Sequence, residues 1–178
     1  MDSFIDPIFA FIERNQAWAP WIMALLAAAE TTAFLSVLVP STAIMVMVGA
    51  LAATGALDFT QLWIGATIGA MIGSFGSYWV GWRYGDAILQ VKPLNQYPEW
   101  IAKARGAFAK WGPATVFGGH FVTFLRPVVF LMAGISRMAL ARFAIWNAMG
   151  CAVWAWVVPK FGEVGGHILA WLWGLFGF

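Results

Sequence analysis

Hydrophobic positions run along this chain in blocks longer than the buried face of an amphipathic helix. Residues 21–53 are apolar throughout, except for Glu30 and a few hydroxyls. A membrane-crossing helix takes about 20 residues, so this block is too long for one crossing and too short for two with a loop. Pro40 interrupts it, and Ser41 and Thr42 follow as helix-start residues. The pattern predicts a re-entrant, broken helical hairpin, which is tolerated at membrane depth only where protein packs on it or it lines a cavity. Residues 59–83 predict a full transmembrane helix. One face of it reads Gly65, Gly69, Gly73, Ser77, Gly81, small residues every fourth position that let another helix approach closely. Tight packing alone accounts for them.

The second half repeats the theme. Residues 112–136 are apolar, broken by Gly118-Gly119 and by Pro127, and predict a second re-entrant hairpin. Residues 138–159, with Asn147 inside, predict a second transmembrane helix. Residues 168–178 form a short apolar C-terminal segment, about half a span long. Between the halves the chain turns polar. Pro98 can start a helix there, and Ile101, Ala104, Phe108 and Trp111 recur at helical spacing. That predicts an amphipathic helix over 95–111, lying on the membrane surface. Residues 1–20 read as a short N-terminal surface helix, with an apolar core too short for a signal peptide.

Composition closes off the soluble alternative. The 178 residues are 62% hydrophobic and 10% charged, with a mean hydropathy of +0.78. Soluble domains carry about 25% charged residues. Many of the 12 Trp fall near the ends of apolar runs, as an interfacial belt places them. Cys151 stands alone in an apolar run and the two histidines are far apart, so neither a disulfide framework nor a metal site is expected. The positive charges Arg83, Lys92, Lys103, Arg105, Lys110, Arg137 and Arg142 flank residues 112–136 on both sides. By the positive-inside rule both flanks are cytoplasmic, so that block enters and leaves by one face. The first block then enters from the other. The expected fold is an all-α integral membrane domain over 1–178: two inverted units, each a re-entrant hairpin plus a transmembrane helix. Such inverted repeats with broken helices recur in secondary transporters.

The candidate chemistry is an acid and a base inside the apolar blocks. A charge at the bilayer centre costs about 2.5–3.5 kcal/mol on insertion scales, so an intramembrane ionisable residue reads first as functional. Removal from water favours the neutral form of a carboxylic acid, which makes Glu30 a candidate proton carrier; a fixed ion pair is the plain alternative. Arg126 stays a cation and needs an anion. Glu30 is one partner, and a phosphate that fits the guanidinium fork is another; a structural anchor for the loop is the plain alternative. Pro40-Ser41-Thr42 and Arg126-Pro127 both look like starts of half-helices, whose free N–H groups and positive dipole ends suit an anion. His120 is a candidate to titrate or touch substrate, although a lone histidine is more often a hydrogen-bonded core residue. Asn147 reads as interhelical glue or as a cavity-lining group. No nucleophile–base pair, phosphate loop, dinucleotide fingerprint or HExxH motif is present, so no enzyme and no cofactor are expected. Without a water-facing basic domain, nucleic acid is excluded as a partner.

Taken together, these stretches resemble the DedA family, whose domain is also called VTT or SNARE-associated. The resemblance rests on Glu30 with Val39-Pro40 and Gly49-Ala50-Leu51, on 65–69 through Tyr78 and Gly81-Trp82-Arg83-Tyr84-Gly85, and on 108–112. Arg126-Pro127 with Ala133-Gly134, and Phe143, Asn147, Gly150 and Trp154, complete it. It spans roughly residues 25–165. It implies multi-pass bacterial inner-membrane proteins with two opposed re-entrant hairpins. It links members to flipping of undecaprenyl phosphate or phospholipids, with proton dependence proposed. The glutamate and arginine of the family motif map onto Glu30 and Arg126. Two positions depart from it. Many members carry Gly then an acid where this chain has Ser41 and Thr42, and an additional arginine where it has His120. Loss of an acid and a base together suggests that the two positions face each other.

The expected function is a lipid transporter, a flippase or scramblase for an anionic lipid such as undecaprenyl phosphate or a phospholipid. The partners are the lipid's phosphate headgroup and protons, and a homo-oligomer is compatible with the reading. A proton-coupled exporter of a small solute or cation, and a non-transporting assembly factor, are the alternatives.

Overall fold

The structure is a computed structural model. It describes residues 16–32, 57–92, 94–122 and 125–176, together with Met45, Val46, Val48, Gly49, Ala52 and Gly55. Every regular element among the described residues is helical. After a 3-10 turn at Gln16–Trp18 come α1 (Ala19–Thr31) and α2 (Phe59–Tyr84), then two short 3-10 turns. α3 (Pro98–Trp111), α4 (Ala114–Gly119), α5 (Arg126–Ile135) and α6 (Leu140–Phe176) follow.

Local chemistry sets the ends. α1 and α3 open with Pro20 and Pro98 in their first turns, where a missing N–H costs nothing. The Thr60 N–H donates to Asp58 Oδ1 at 2.7 Å and caps α2. α2 and α3 stop at Gly85 and Gly112, with φ of +58° and +57°, a positive-φ conformation that glycine enters without steric cost.

The glycine face of α2 organises the rest. A Cβ at Gly65, Gly69 or Gly73 would lie 2.2, 1.9 or 2.3 Å from the carbonyl oxygen of Pro20, Ala24 or Ala28. The numbers rise together on both helices, so α1 runs parallel to α2 in backbone contact with it. The next rung, Ser77, donates to the Thr31 carbonyl at 2.9 Å and so satisfies the end of α1. The rung after that, Gly81, meets the Leu131 carbonyl of α5, while Gly134 meets Tyr78 and Trp82. One face of α2 therefore carries two short helices in line, α1 on its first half and α5 on its second. At 1.5 Å per residue α1 and α5 together span about 35 Å, close to the length of α2. α6 runs antiparallel to α2: Phe143 stacks on Tyr78, Asn147 reaches Ser74, and Trp63 Nε1 donates to the Ala152 carbonyl. α4 folds back on α5, with Gly119 against Val129.

Two features differ from the sequence expectation. The second expected span and the C-terminal segment are not separate: one helix, Leu140–Phe176, runs through 140–159 and 168–176, with Pro159 inside it. A Cβ at Gly49 would lie 2.0 Å from the Pro159 carbonyl, so close packing supports the helix where the proline removes a hydrogen bond. Among the described residues, one stretch, Leu140–Gly162, is both long and apolar enough to cross a membrane. α2 has the length, but its glycines, serines and threonines dilute its hydropathy. Residues 1–15, most of the expected N-terminal surface helix, lie outside the described residues, as do Pro40, Ser41 and Thr42.

Two apolar cores result. One joins Met23, Ala27, Leu62, Ala66, Cys151 and Trp154. The other joins Tyr78, Val116, Phe130, Leu131 and Phe143. Between them lie the buried polar groups.

Candidate functional site

The junction of α1 and α5 holds the two charges that interrupt the apolar blocks. Glu30 sits in the last turn of α1, and Arg126 is the first residue of α5. They lie 96 positions apart in sequence, yet Arg126 Nη1 donates to Glu30 Oε1 at 2.6 Å. Their side chains are 1% and 3% exposed. A charge-assisted pair at this distance is strong; removed from water, it must also satisfy its remaining polar edges. Arg126 Nη2 donates to the His120 carbonyl at 2.7 Å. The guanidinium lies 4.3 Å from the centre of the Trp154 ring, a desolvated cation–π contact. Arg126 is thus held on two edges and one face by α1, the α4–α5 turn and α6.

The His120 side chain points into a second, connected network. Its Nε2 lies 3.1 Å from Asn147 Oδ1. Asn147 Nδ2 donates to Ser74 Oγ at 2.8 Å, and the Ser74 hydroxyl donates to the Ala70 carbonyl at 2.7 Å. The chain fixes its own proton positions. The Ser74 hydroxyl has one proton, and it points to the carbonyls of its own helix, Ala70 at 2.7 Å and Met71 at 3.0 Å. Ser74 Oγ therefore accepts from the Asn147 amide. Asn147 Oδ1 faces His120 and accepts in turn, so the neutral imidazole carries its proton on Nε2. His120 Nδ1 is left as an acceptor, buried, with no hydrogen-bond partner among the described residues; Arg126 Nε is a donor in the same position. The imidazole fits because residue 150 is glycine, where a Cβ would meet the ring at 2.3 Å. Phe130 and Cys151 complete its surroundings, with ring centres 4.8 Å apart and Cys151 Sγ 3.7 Å from Nε2.

Of the residues singled out in the sequence, the structure brings Glu30, Arg126, His120 and Asn147 into one cluster, while Ser41 and Thr42 lie outside the described residues. Ser74 was not singled out, because its hydroxyl is one of several on a glycine-rich face. Gly150 was visible only as a position shared with the family; Trp154 counted also toward the interfacial belt, but it is buried and packs on Arg126. Their neighbours in sequence give no sign of what they touch.

Residues 39–164 match the VTT domain family. The chain belongs to this family, the DedA membrane proteins. Among its relatives is the inner membrane protein YabI of Escherichia coli K12, 29% identical over 144 residues, covering 81% of this chain and 57% of that protein. The uncharacterized membrane protein slr0232 of Synechocystis is 35% identical over 133 residues, 74% of this chain and 61% of that one. The inner membrane protein YqjA of Escherichia coli K12 is 29% identical over 128 residues, 71% and 58% respectively. This DedA protein therefore spans about six tenths of the length of those relatives. No solved structure matches it.

Proposed function

We propose that this DedA protein moves an anionic lipid, such as undecaprenyl phosphate or a phospholipid, across a bacterial inner membrane, with protons as the coupling ion. The observation that carries the reading is the buried Glu30–Arg126 pair at the meeting point of two half-length helices. A permanent guanidinium deep in an apolar domain fits a phosphate in two-pronged fashion. The start of α5 adds little to it, because the Arg126 and Val129 N–H groups donate to the Val122 and Leu125 carbonyls and Pro127 has none, so the guanidinium itself carries the anion. Glu30 is the ligand that a phosphate would replace, and a proton on Glu30 would release Arg126 for it.

In this reading α1 and α5 are arms of two re-entrant hairpins entering from opposite faces, and α2 and α6 are the spans. Support comes from their end-to-end placement along α2 and from a combined length that matches a hydrocarbon core of about 30 Å. The inner-membrane names of YabI and YqjA support the location.

Reconstitution in proteoliposomes tests the proposal. Labelled anionic lipid should change leaflets with the parent chain and cease to do so with Arg126→Ala. Proton-linked solute flux without lipid movement would replace it with the exporter reading.

A further inference from the structure

A groove of about 280 Å³ runs between α3 and the α4–α5 hairpin. Ala107 and Trp111 of α3 form one wall, and Gly118, Val122, Leu125 and Val129 the other. Its lining is almost wholly apolar, and its inner wall reaches Leu125, the residue before Arg126. The corner that shapes it is tied by a hydrogen bond from Thr115 Oγ1 to the Ala107 carbonyl at 3.0 Å.

Two cations of α3 fall beside this lining rather than within it. Residues three and four apart share a helix face, so Lys103 and Lys110 flank Ala107 and Trp111 on the groove side of α3. Both lysines are exposed. The Lys110 ammonium lies 5.1 Å from the centre of the Trp111 ring, and Trp111 is itself 63% exposed. Arg105 is turned to Asp86, at 2.9 Å. The acid on the groove-side face is Glu99, a turn before Lys103. Cations above an apolar slot, with a tryptophan at the boundary, are the pattern that an anionic lipid meets at an interface.

We propose that this groove is a binding site for one anionic phospholipid, with its acyl chain between α3 and the hairpin and its phosphate against Lys110 and Lys103. The site stands on its own as a binding site; its service as the loading point for Arg126 rests on the transport reading above. A width left by Gly118 is what the chain occupies. A Cβ there meets nothing within 4 Å, whereas one at Gly119 meets Val129 at 2.8 Å. Gly118→Leu therefore narrows the groove without a clash and with a better helix former. Ala107→Leu narrows it from the other wall. Gly76, another open and exposed glycine on α2, is the control position.

The test reconstitutes the full chain in phosphatidylcholine nanodiscs containing a minor fraction of phosphatidylglycerol with a photoactivatable acyl chain. Crosslinks should map to 107–129 and exceed those from phosphatidylcholine with the same chain. Lys110→Gln should lower the yield about fivefold, the weight of one juxtamembrane cation. Gly118→Leu and Ala107→Leu should each remove most of it, and Gly76→Leu should leave it unchanged. Labelling that is indifferent to Gly118→Leu and Ala107→Leu, or equal for the two lipids, overturns the site. The readout needs no transport. Intact labelling without leaflet exchange refutes the function alone, and exchange with labelling blind to the groove variants refutes the groove alone.

Discussion

Replacing Glu30 by Gln separates a structural ion pair from a functional one. The amide keeps the shape of the side chain and removes its charge, which strands Arg126 at 1% exposure. Stranding one partner of a buried pair costs about 3–5 kcal/mol. Arg126 keeps the His120 carbonyl and the Trp154 face, so the lower end, about 3 kcal/mol, applies. For a chain of this length each kcal/mol moves the melting temperature by about 2–4 °C, so Glu30→Gln should unfold roughly 6–12 °C below the parent. Arg126→Gln should cost less, because a stranded carboxyl can take up a proton and a guanidinium cannot lose one. Glu30→Gln with Arg126→Met leaves no buried charge unpaired, only the His120 carbonyl without its donor, and should recover most of the loss. Thermal unfolding in detergent reads all of this, and leaflet exchange of lipid is measured on the same samples. A double variant that is stable but does not move lipid identifies the pair as functional; one that is stable and fully active reduces it to a structural anchor. If Glu30→Gln melts with the parent and the double variant shows additive losses, the two charges do not compensate each other and the argument fails.

Asn147→Leu should cost about 1–3 kcal/mol, because it leaves the His120 Nε2–H and Ser74 Oγ without their buried partner; combined with His120→Phe the losses should fall short of the sum, by thermal unfolding of the four-member cycle. Gly69→Ala places a Cβ 1.9 Å from the Ala24 carbonyl and should destabilise by about 1–3 kcal/mol through overpacking. Gly76→Ala, with open space around it, should stabilise by up to about 1 kcal/mol, and equal melting temperatures for the two variants would contradict the parallel packing of α1 on α2. Trp154→Leu should lower stability by about 2 kcal/mol or more, since it removes the ring under a desolvated guanidinium; an unchanged melting temperature would show that the contact has no energetic weight.

The sequence shows the all-helical membrane class plainly, because 10% charged residues cannot cover a water-facing surface. The period-four ladder on α2 is also legible, since small residues at one face admit a neighbour whatever that neighbour is. What fills the ladder is not. That four rungs receive α1 and the next receives α5 depends on pairings far apart along the chain, and no local pattern encodes them. The far end of the second span misleads in the opposite direction: it is expected to stop at residue 159, but the backbone of a second segment packs against Pro159 and α6 continues. Glu30 and Arg126 stand out by their cost in an apolar environment. Ser74 does not, because a serine bonded to its own helix is ordinary until an amide from another helix lands on it.

The direction of the two half-helices explains why this acid and this base sit where they do. A helix ends in exposed carbonyls and starts in exposed N–H groups, so its C-terminus is partly negative and its N-terminus partly positive. Glu30 lies in the last turn of α1 and Arg126 at the first position of α5. Each charge is at the unfavourable end of its own helix. Placed end to end on one face of α2, the two helices reverse this: Glu30 faces the N-terminus of α5, and Arg126 faces the carbonyl end of α1. The arrangement is favourable only while the tips meet. Drawn apart, each charge keeps the like-signed end of its own helix and loses its counter-ion. Two replacements restore balance, a proton on the carboxyl and an anion on the guanidinium. Under the transport proposal, opening the junction would create a demand for both at once, which is the coupling that proton-linked movement of a phosphate headgroup requires.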